Sequence, residues 1–137
     1  MNVRLTKEQK IQILNGEDLY KVMRQILMRE NKISRAKEHF WVVGLNKINR
    51  IMFIELVSLG SISAAVIKPP EIFRMAIYKL ATGIILVHNH PSGGIEASPH
   101  DIALTNKFKK SGKLLEIPVM DHLIITENDF RSIIKES

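Results

Sequence analysis

The sequence predicts an α/β fold in which a mixed β-sheet is flanked by helices, and three observations carry that prediction. Leu19, Val22, Met23, Ile26 and Leu27 recur at the spacing of one helical face. Two apolar runs, residues 41–45 and 50–57, are separated by the turn-forming stretch Asn46-Lys47-Ile48-Asn49 and read as a β-hairpin. Gly83-Ile84-Ile85-Leu86-Val87 is a short, wholly apolar run between a glycine and a proline-glycine loop, the pattern of a strand buried on both faces.

In chain order, residues 1–34 are more charged than the rest and form a helical preface; residues 35–137 carry the domain proper. Thr6-Lys7-Glu8-Gln9 is suited to capping a short first helix, which Asn15-Gly16 breaks before the amphipathic second one. After the hairpin, Gly60 interrupts the run and residues 61–67 continue it as a strand. Lys68-Pro69-Pro70-Glu71 then starts a helix, where proline costs no backbone hydrogen bond, with Ile72, Phe73, Ala76, Ile77 and Leu80 facing inward. Beyond the apolar run ending at His88, residues 102–115 read as a helix, Pro118 punctuates, and residues 122–126 form a last strand before a short C-terminal helix.

A chain of 137 residues, 45% hydrophobic and 25% charged, is long enough to bury a core as one unit and too apolar to stay disordered. With no cysteine, disulfides, thiolate metal sites and a cysteine nucleophile are excluded. The N-terminus lacks an apolar signal core, and no run approaches the roughly 18 apolar residues of a membrane span, so a cytoplasmic location is expected. A formal charge of +6 favours encounter with acidic partners, nucleic acid included, without specifying any chemistry.

The chemistry concentrates in residues 88–101, His-Asn-His-Pro-Ser-Gly-Gly-Ile-Glu-Ala-Ser-Pro-His-Asp. Residues two apart on a strand share a face, so His88 and His90 project side by side from the strand's carboxyl end, where Pro91 stops the ladder. Ser98 and Pro99 start a helix whose first turn holds Asp101. Ser98 with Asp101 is, taken alone, only a capping box, and a histidine pair alone is often polar surface. Together, two imidazoles and one carboxylate leave a fourth position open, the pattern of catalytic and not of structural zinc. Other divalent metals remain compatible with that ligand set. Glu96 with the two histidines would suit a jelly-roll site, but the helices argue against an all-β fold and leave Glu96 on a loop surface. A zinc deaminase needs cysteines that are absent; His100 reads as surface and His122 as the edge of the core, neither as a ligand.

His-x-His-Pro, six residues, Ser, two residues, Asp resembles the JAMM motif of JAB/MPN metalloproteases. His88-Asn89-His90-Pro91-Ser92-Gly93, the run 83–87, Asp121-His122-Leu123-Ile124, the hairpin residues 43–50 and Pro69-Pro70-Glu71-Ile72-Phe73 look like the RadC branch of that family, over about residues 33–137. The resemblance implies a JAB/MPN, cytidine-deaminase-like architecture, Zn2+ on His88, His90 and Asp101, and hydrolysis of a peptide or isopeptide bond by metal-activated water. It further implies that Ser98 helps stabilise the oxyanion and that an upstream glutamate acts as general acid and base. Glu38, at the start of the first core strand, is chosen for that role; Glu55, inside an apolar strand run, is the alternative or else a member of a structural ion pair.

Two departures stand out. Gly94-Ile95-Glu96-Ala97 replaces the Asp-Pro-x-Pro that usually precedes the serine, and Pro70 stands where the family often has arginine. Longer RadC-like proteins carry an N-terminal helix-hairpin-helix region, for which too few residues precede this domain. The competing expectation is a non-enzymatic accessory module of DNA repair or mobile elements, meeting nucleic acid or a protein partner through Lys107, Lys109, Lys110 and Lys113. Such a ridge is more often simply a solvated helix face.

Overall fold

The computed structural model describes residues 1–60 and 67–134. A 3-10 turn at Lys7–Gln9 is followed by helices α1 (Gly16–Met28) and α2 (Lys32–Arg35), strands β1 (Glu38–Leu45) and β2 (Ile51–Gly60), helix α3 (Pro69–Lys79), strand β3 (Gly83–Asn89), helix α4 (Pro99–Leu115), and strands β4 (Val119–Ile125) and β5 (Phe130–Ser132). The sheet has the order β2-β1-β3-β4-β5, with β3 and β4 parallel and all other neighbours antiparallel. This is the expected mixed sheet flanked by helices. α4 is the crossover that a parallel strand pair requires.

β3 lies at the centre and is buried along its whole length. Its alternation divides the core. Ile85 and Val87 pack with Trp41, Val43 and the α1 residues Leu19, Val22, Met23, Ile26 and Leu27. Ile84 and Leu86 face the other way, among Phe40, Val42, Ile72 and Phe73 of α3, and Leu104 and Phe108 of α4. All five apolar α1 positions are buried as their spacing predicts, each worth about 1.5–3 kcal/mol relative to exposure. At the sheet's edge, Met1, Val3, Ile11 and Ile13 exchange backbone hydrogen bonds with the β2 side of the hairpin, covering an otherwise open strand edge. Gly44 is required within the hairpin: a Cβ there would lie 1.9 Å from the ring of Phe53 opposite it.

Three local expectations are corrected. The first helix is a single 3-10 turn, in which Gln9 Oε1 accepts the Thr6 N–H at 3.0 Å. Ile77 and Leu80 are 51% and 82% exposed, because α3 buries only a narrow stripe and ends at Lys79, with Leu80 turned left-handed at φ 57°. Residues 130–132 form β5 where a C-terminal helix is expected, because pairing with β4 and two donors to the buried Asp121 carboxylate, Ser132 Oγ and Ile134 N, hold the segment extended. The strand expected over 61–67 falls outside the described residues except for Ile67, which is buried at a bend.

Candidate metal centre

His88 and His90 leave the end of β3 on the face covered by α3 and α4. The His90 N–H still reaches Ile125 O at 3.0 Å, after which Pro91 has no donor to continue. The chain turns at Gly93, whose φ of +93° favours glycine, and its N–H returns to His90 O at 3.0 Å. Ser98 caps α4: its Oγ accepts the Asp101 N–H at 3.1 Å, and Asp101 Oδ2 accepts the Ser98 N–H at 2.9 Å. Such a cap is worth about 1 kcal/mol and also fixes the direction of the Asp101 carboxylate.

The three side chains converge. His88 Nε2 lies 3.0 Å from His90 Nε2 and 3.2 Å from Asp101 Oδ1, and His90 Nε2 lies 3.1 Å from Asp101 Oδ2. Four-coordinate zinc with bonds near 2.0–2.1 Å separates its donors by about 3.3 Å, so the spacing fits. The proton inventory fits too. His90 Nδ1 donates to Gly94 O at 2.9 Å, a partner that can only accept, so neutral His90 keeps a bare Nε2 facing the carboxylate. Burial alone would raise the Asp101 pKa, but hydrogen bonds with His88 and His90 outweigh it and hold the carboxyl well below its ordinary range. The hydrogen bond to Asp101 correspondingly raises His90, against a smaller opposing effect of burial and with help from Gly94 O and the charges of Asp101 and Glu38. Two ring nitrogens and a carboxylate thus crowd one partly buried point that a cation would satisfy.

A second tier lies beneath. His122 of β4, 1% exposed, places Nε2 at 2.7 Å from His88 Nδ1 and Nδ1 at 2.5 Å from Thr105 Oγ1. Thr105 in turn donates to Asp101 O at 2.7 Å. Phe40, opposite His88 in the β1–β3 register, stacks on the His88 ring with centroids 6.3 Å apart and meets His122 edge-on at 5.8 Å. Burial first, and then repulsion from a protonated His88, push the His122 pKa well below the usual histidine value. Sequence reading leaves His122 and Thr105 out of the site; the available signal was a histidine inside an apolar strand, which needs a partner.

Glu38 and Ser98 open onto the same cleft as His90 and Asp101, a space of about 720 Å³ that Lys37, Gly60, Pro91, Ser92 and the exposed His100 also line. Asn89, 1% exposed on the opposite face of β3, bonds the peptide groups on either side of Glu38: its Oδ1 accepts the His39 N–H at 2.6 Å, and its Nδ2 donates to Lys37 O at 3.1 Å. Glu55 lies elsewhere, bound by Arg74 of α3 at 3.1 Å and opposite Val42 in the hairpin register.

The RadC-like JAB domain family model matches residues 13–137. The chain belongs to that family. A UPF0758 protein of Chlorobaculum parvum is 39% identical over 130 residues, covering 95% of this chain and 56% of that protein. Those of Methanosarcina barkeri and Desulforudis audaxviator are 39% and 44% identical over 127 and 97 residues, covering 93% and 71% of this chain and 53% and 42% of theirs. The chain spans about half the length of these curated relatives. In this RadC-like JAB domain, Glu96 is exposed, away from the histidines, lining a separate groove beside α4 with Ile102, Asn106 and Arg131. Lys107 of the basic ridge turns back, donating to Ile67 O at 3.1 Å over the Phe108 ring, while Lys109, Lys110 and Lys113 border a shallow outer groove. No helix among the described residues is long and apolar enough to cross a membrane.

Proposed function

We propose that this chain is a zinc-dependent hydrolase of the metallopeptidase or isopeptidase type, with His88, His90 and Asp101 as ligands. The observation that carries this reading is the convergence of three donors at 3.0–3.2 Å beside a cleft that also holds Glu38. Zinc, when bound, supplies a Lewis acid that polarises a carbonyl and makes water nucleophilic near neutral pH. The protein's own residues supply the rest. Two imidazoles and one carboxylate leave the fourth position free. The Glu38 carboxylate takes the proton of the attacking water and delivers it to the departing amine, a role worth roughly 10²–10⁴-fold in rate. Asn89 fixes the backbone on both sides of Glu38, which keeps its carboxylate over the cleft. Ser98 Oγ accepts from Asp101 N, so its hydroxyl proton is free to stabilise the developing oxyanion.

The test is metal stoichiometry by elemental analysis, after removal of loosely held metal, for the wild type and a His88→Ala/His90→Ala variant. About one zinc per chain, lost in the variant, is expected, together with hydrolysis of members of a peptide and isopeptide panel. Absence of uptake on adding zinc would sink the reading and favour an accessory module. That second reading rests on the charge of +6 and on Lys109, Lys110 and Lys113. It requires binding of nucleic acid that weakens steeply with salt.

A further inference from the structure

We propose that His122 and Thr105 form a hydrogen-bond relay that sets the tautomer of His88, making them positioning residues for the metal centre. The proposal rests on the metal reading of His88 and extends it to two residues outside the ligand set.

The direction of each bond follows from the donor inventory. A threonine hydroxyl has one proton, and Thr105 gives it to Asp101 O at 2.7 Å, a carbonyl that can only accept. At its contact of 2.5 Å with His122 Nδ1, the Thr105 oxygen is therefore the acceptor, and the proton belongs to His122 Nδ1. His122 is 1% exposed, and neither of its two ring partners is a carboxylate, so its other nitrogen, Nε2, is bare and accepts. The His88 nitrogen 2.7 Å away, Nδ1, must then donate. Neutral His88 with its proton on Nδ1 has a bare Nε2, the atom that faces His90 Nε2 and Asp101 Oδ1 at 3.0 and 3.2 Å.

A single hydroxyl thus governs which nitrogen of His88 is available. The alternative orientation, with His122 donating from Nε2, would move the His88 proton onto Nε2 and block the ligand position. Metal-binding histidines commonly fix their tautomer by donating to a carboxylate or a backbone carbonyl. Here the acceptor is a neutral imidazole, whose own orientation is set one step further back. The relay also closes on itself: it starts at the backbone carbonyl of Asp101 and ends at His88, so two ligands from α4 and β3 are tied through β4.

Competition titrations with zinc, and cobalt(II) absorption spectra, on the wild type, Thr105→Val, Thr105→Ser, His122→Phe and His88→Ala test this. Thr105→Val keeps the shape and removes the hydroxyl; it and His122→Phe should weaken metal binding by about 10–100-fold, while Thr105→Ser stays near wild type. Ring-nitrogen NMR of 15N-histidine-labelled protein, zinc-loaded and metal-free, should show a protonated Nδ1 on His88, a signature that a purely structural role for Thr105 would not move. Unchanged affinity in both Thr105→Val and His122→Phe, or an unprotonated His88 Nδ1, overturns the relay. If His88→Ala abolishes binding while those two variants do not alter it, the metal reading stands and the relay alone falls. If the wild type takes up no metal, the metal reading falls and the metal-free ring-nitrogen spectrum still decides the relay by the position of the His88 proton.

Discussion

The two faces of β3 end in different chemistry. Towards α3 and α4 the strand runs Ile84, Leu86, His88; towards α1 it runs Ile85, Val87, Asn89. Both sets begin as hydrophobic core and finish with one buried polar side chain. On the first face that side chain joins a network of side chains, His90, Asp101, His122 and Thr105, that converges on a point. On the second it bonds to main chain alone, gripping the peptide groups around Glu38 and Arg35 O at 3.4 Å. Because Glu38 lies two residues before Phe40, it shares the face of His88 although its backbone is held from the opposite one. On the proposed reading, one face builds the cation site from side chains, and the other places the acid/base group by fixing the backbone that carries it.

If this division is right, damage should separate into loss of metal and loss of rate. The largest separation is expected for Glu38→Gln, which should lower hydrolysis of any responsive substrate by roughly 10²–10⁴-fold in steady-state kinetics. Its zinc stoichiometry should stay at the wild-type value; a parallel loss of zinc would break the comparison. Asn89→Ala should come next, with a fall in kcat of up to about 100-fold from a misplaced Glu38. Zinc affinity should be little changed, and urea unfolding should show a loss of about 1–3 kcal/mol from the unpaired peptide groups.

A third effect is a pH dependence confined to the metal face. Protons and metal compete for His90 Nε2, so zinc affinity should fall as pH drops through the raised His90 pKa, which lies above the ordinary value near 6.5. The metal-free protein should behave differently. The raised His90 contributes stability that is full below the unfolded value of about 6.5 and is lost as pH rises through the folded one. The depressed Asp101 contributes stability that is present above about pH 3.9 and is lost as pH falls towards its folded value. Melting temperatures of stripped protein should therefore be highest between these limits, and zinc should add most stability above them. A flat profile in both forms would show that the triad is not coupled as its geometry demands.

The smallest expected effect is at Glu55, which lies outside both arrangements. Glu55→Gln should leave hydrolysis and zinc content unchanged and shift stability by about 1 kcal/mol, since the Arg74 partner is half exposed. A rate loss comparable to that of Glu38→Gln would move the acid/base role to Glu55, beside Arg74, and undo the assignment.

Much of this is local and so was legible. The α1 stripe, the hairpin turn, the apolar β3 run and the Ser98–Asp101 cap each depend on neighbours within about one or two turns of chain, where periodicity and capping chemistry act. His88, His90 and Asp101 could be picked out for the same reason: a strand end and a helix start, joined by one short loop, bring them together.

The remainder depended on register between distant segments. Glu38 and Glu55 are both glutamates on adjacent strands, and only the pairing of Phe40 with His88 and of Val42 with Glu55 puts one near the histidines and the other beside Arg74. Asn89 looks like a spacer between two ligands until β1 is laid beside β3 and its amide meets the Glu38 peptides. His122 looks like a polar residue at the edge of the core until parallel pairing sets β4 beside β3 with His122 opposite Leu86, close enough for its ring to reach His88. The sequence by itself determined most of the elements and the three candidate ligands, because those follow from short-range spacing. Only the tertiary structure decided which residues support them, because a buried polar side chain takes its role from the partner that satisfies it, and here those partners come from other strands and helices.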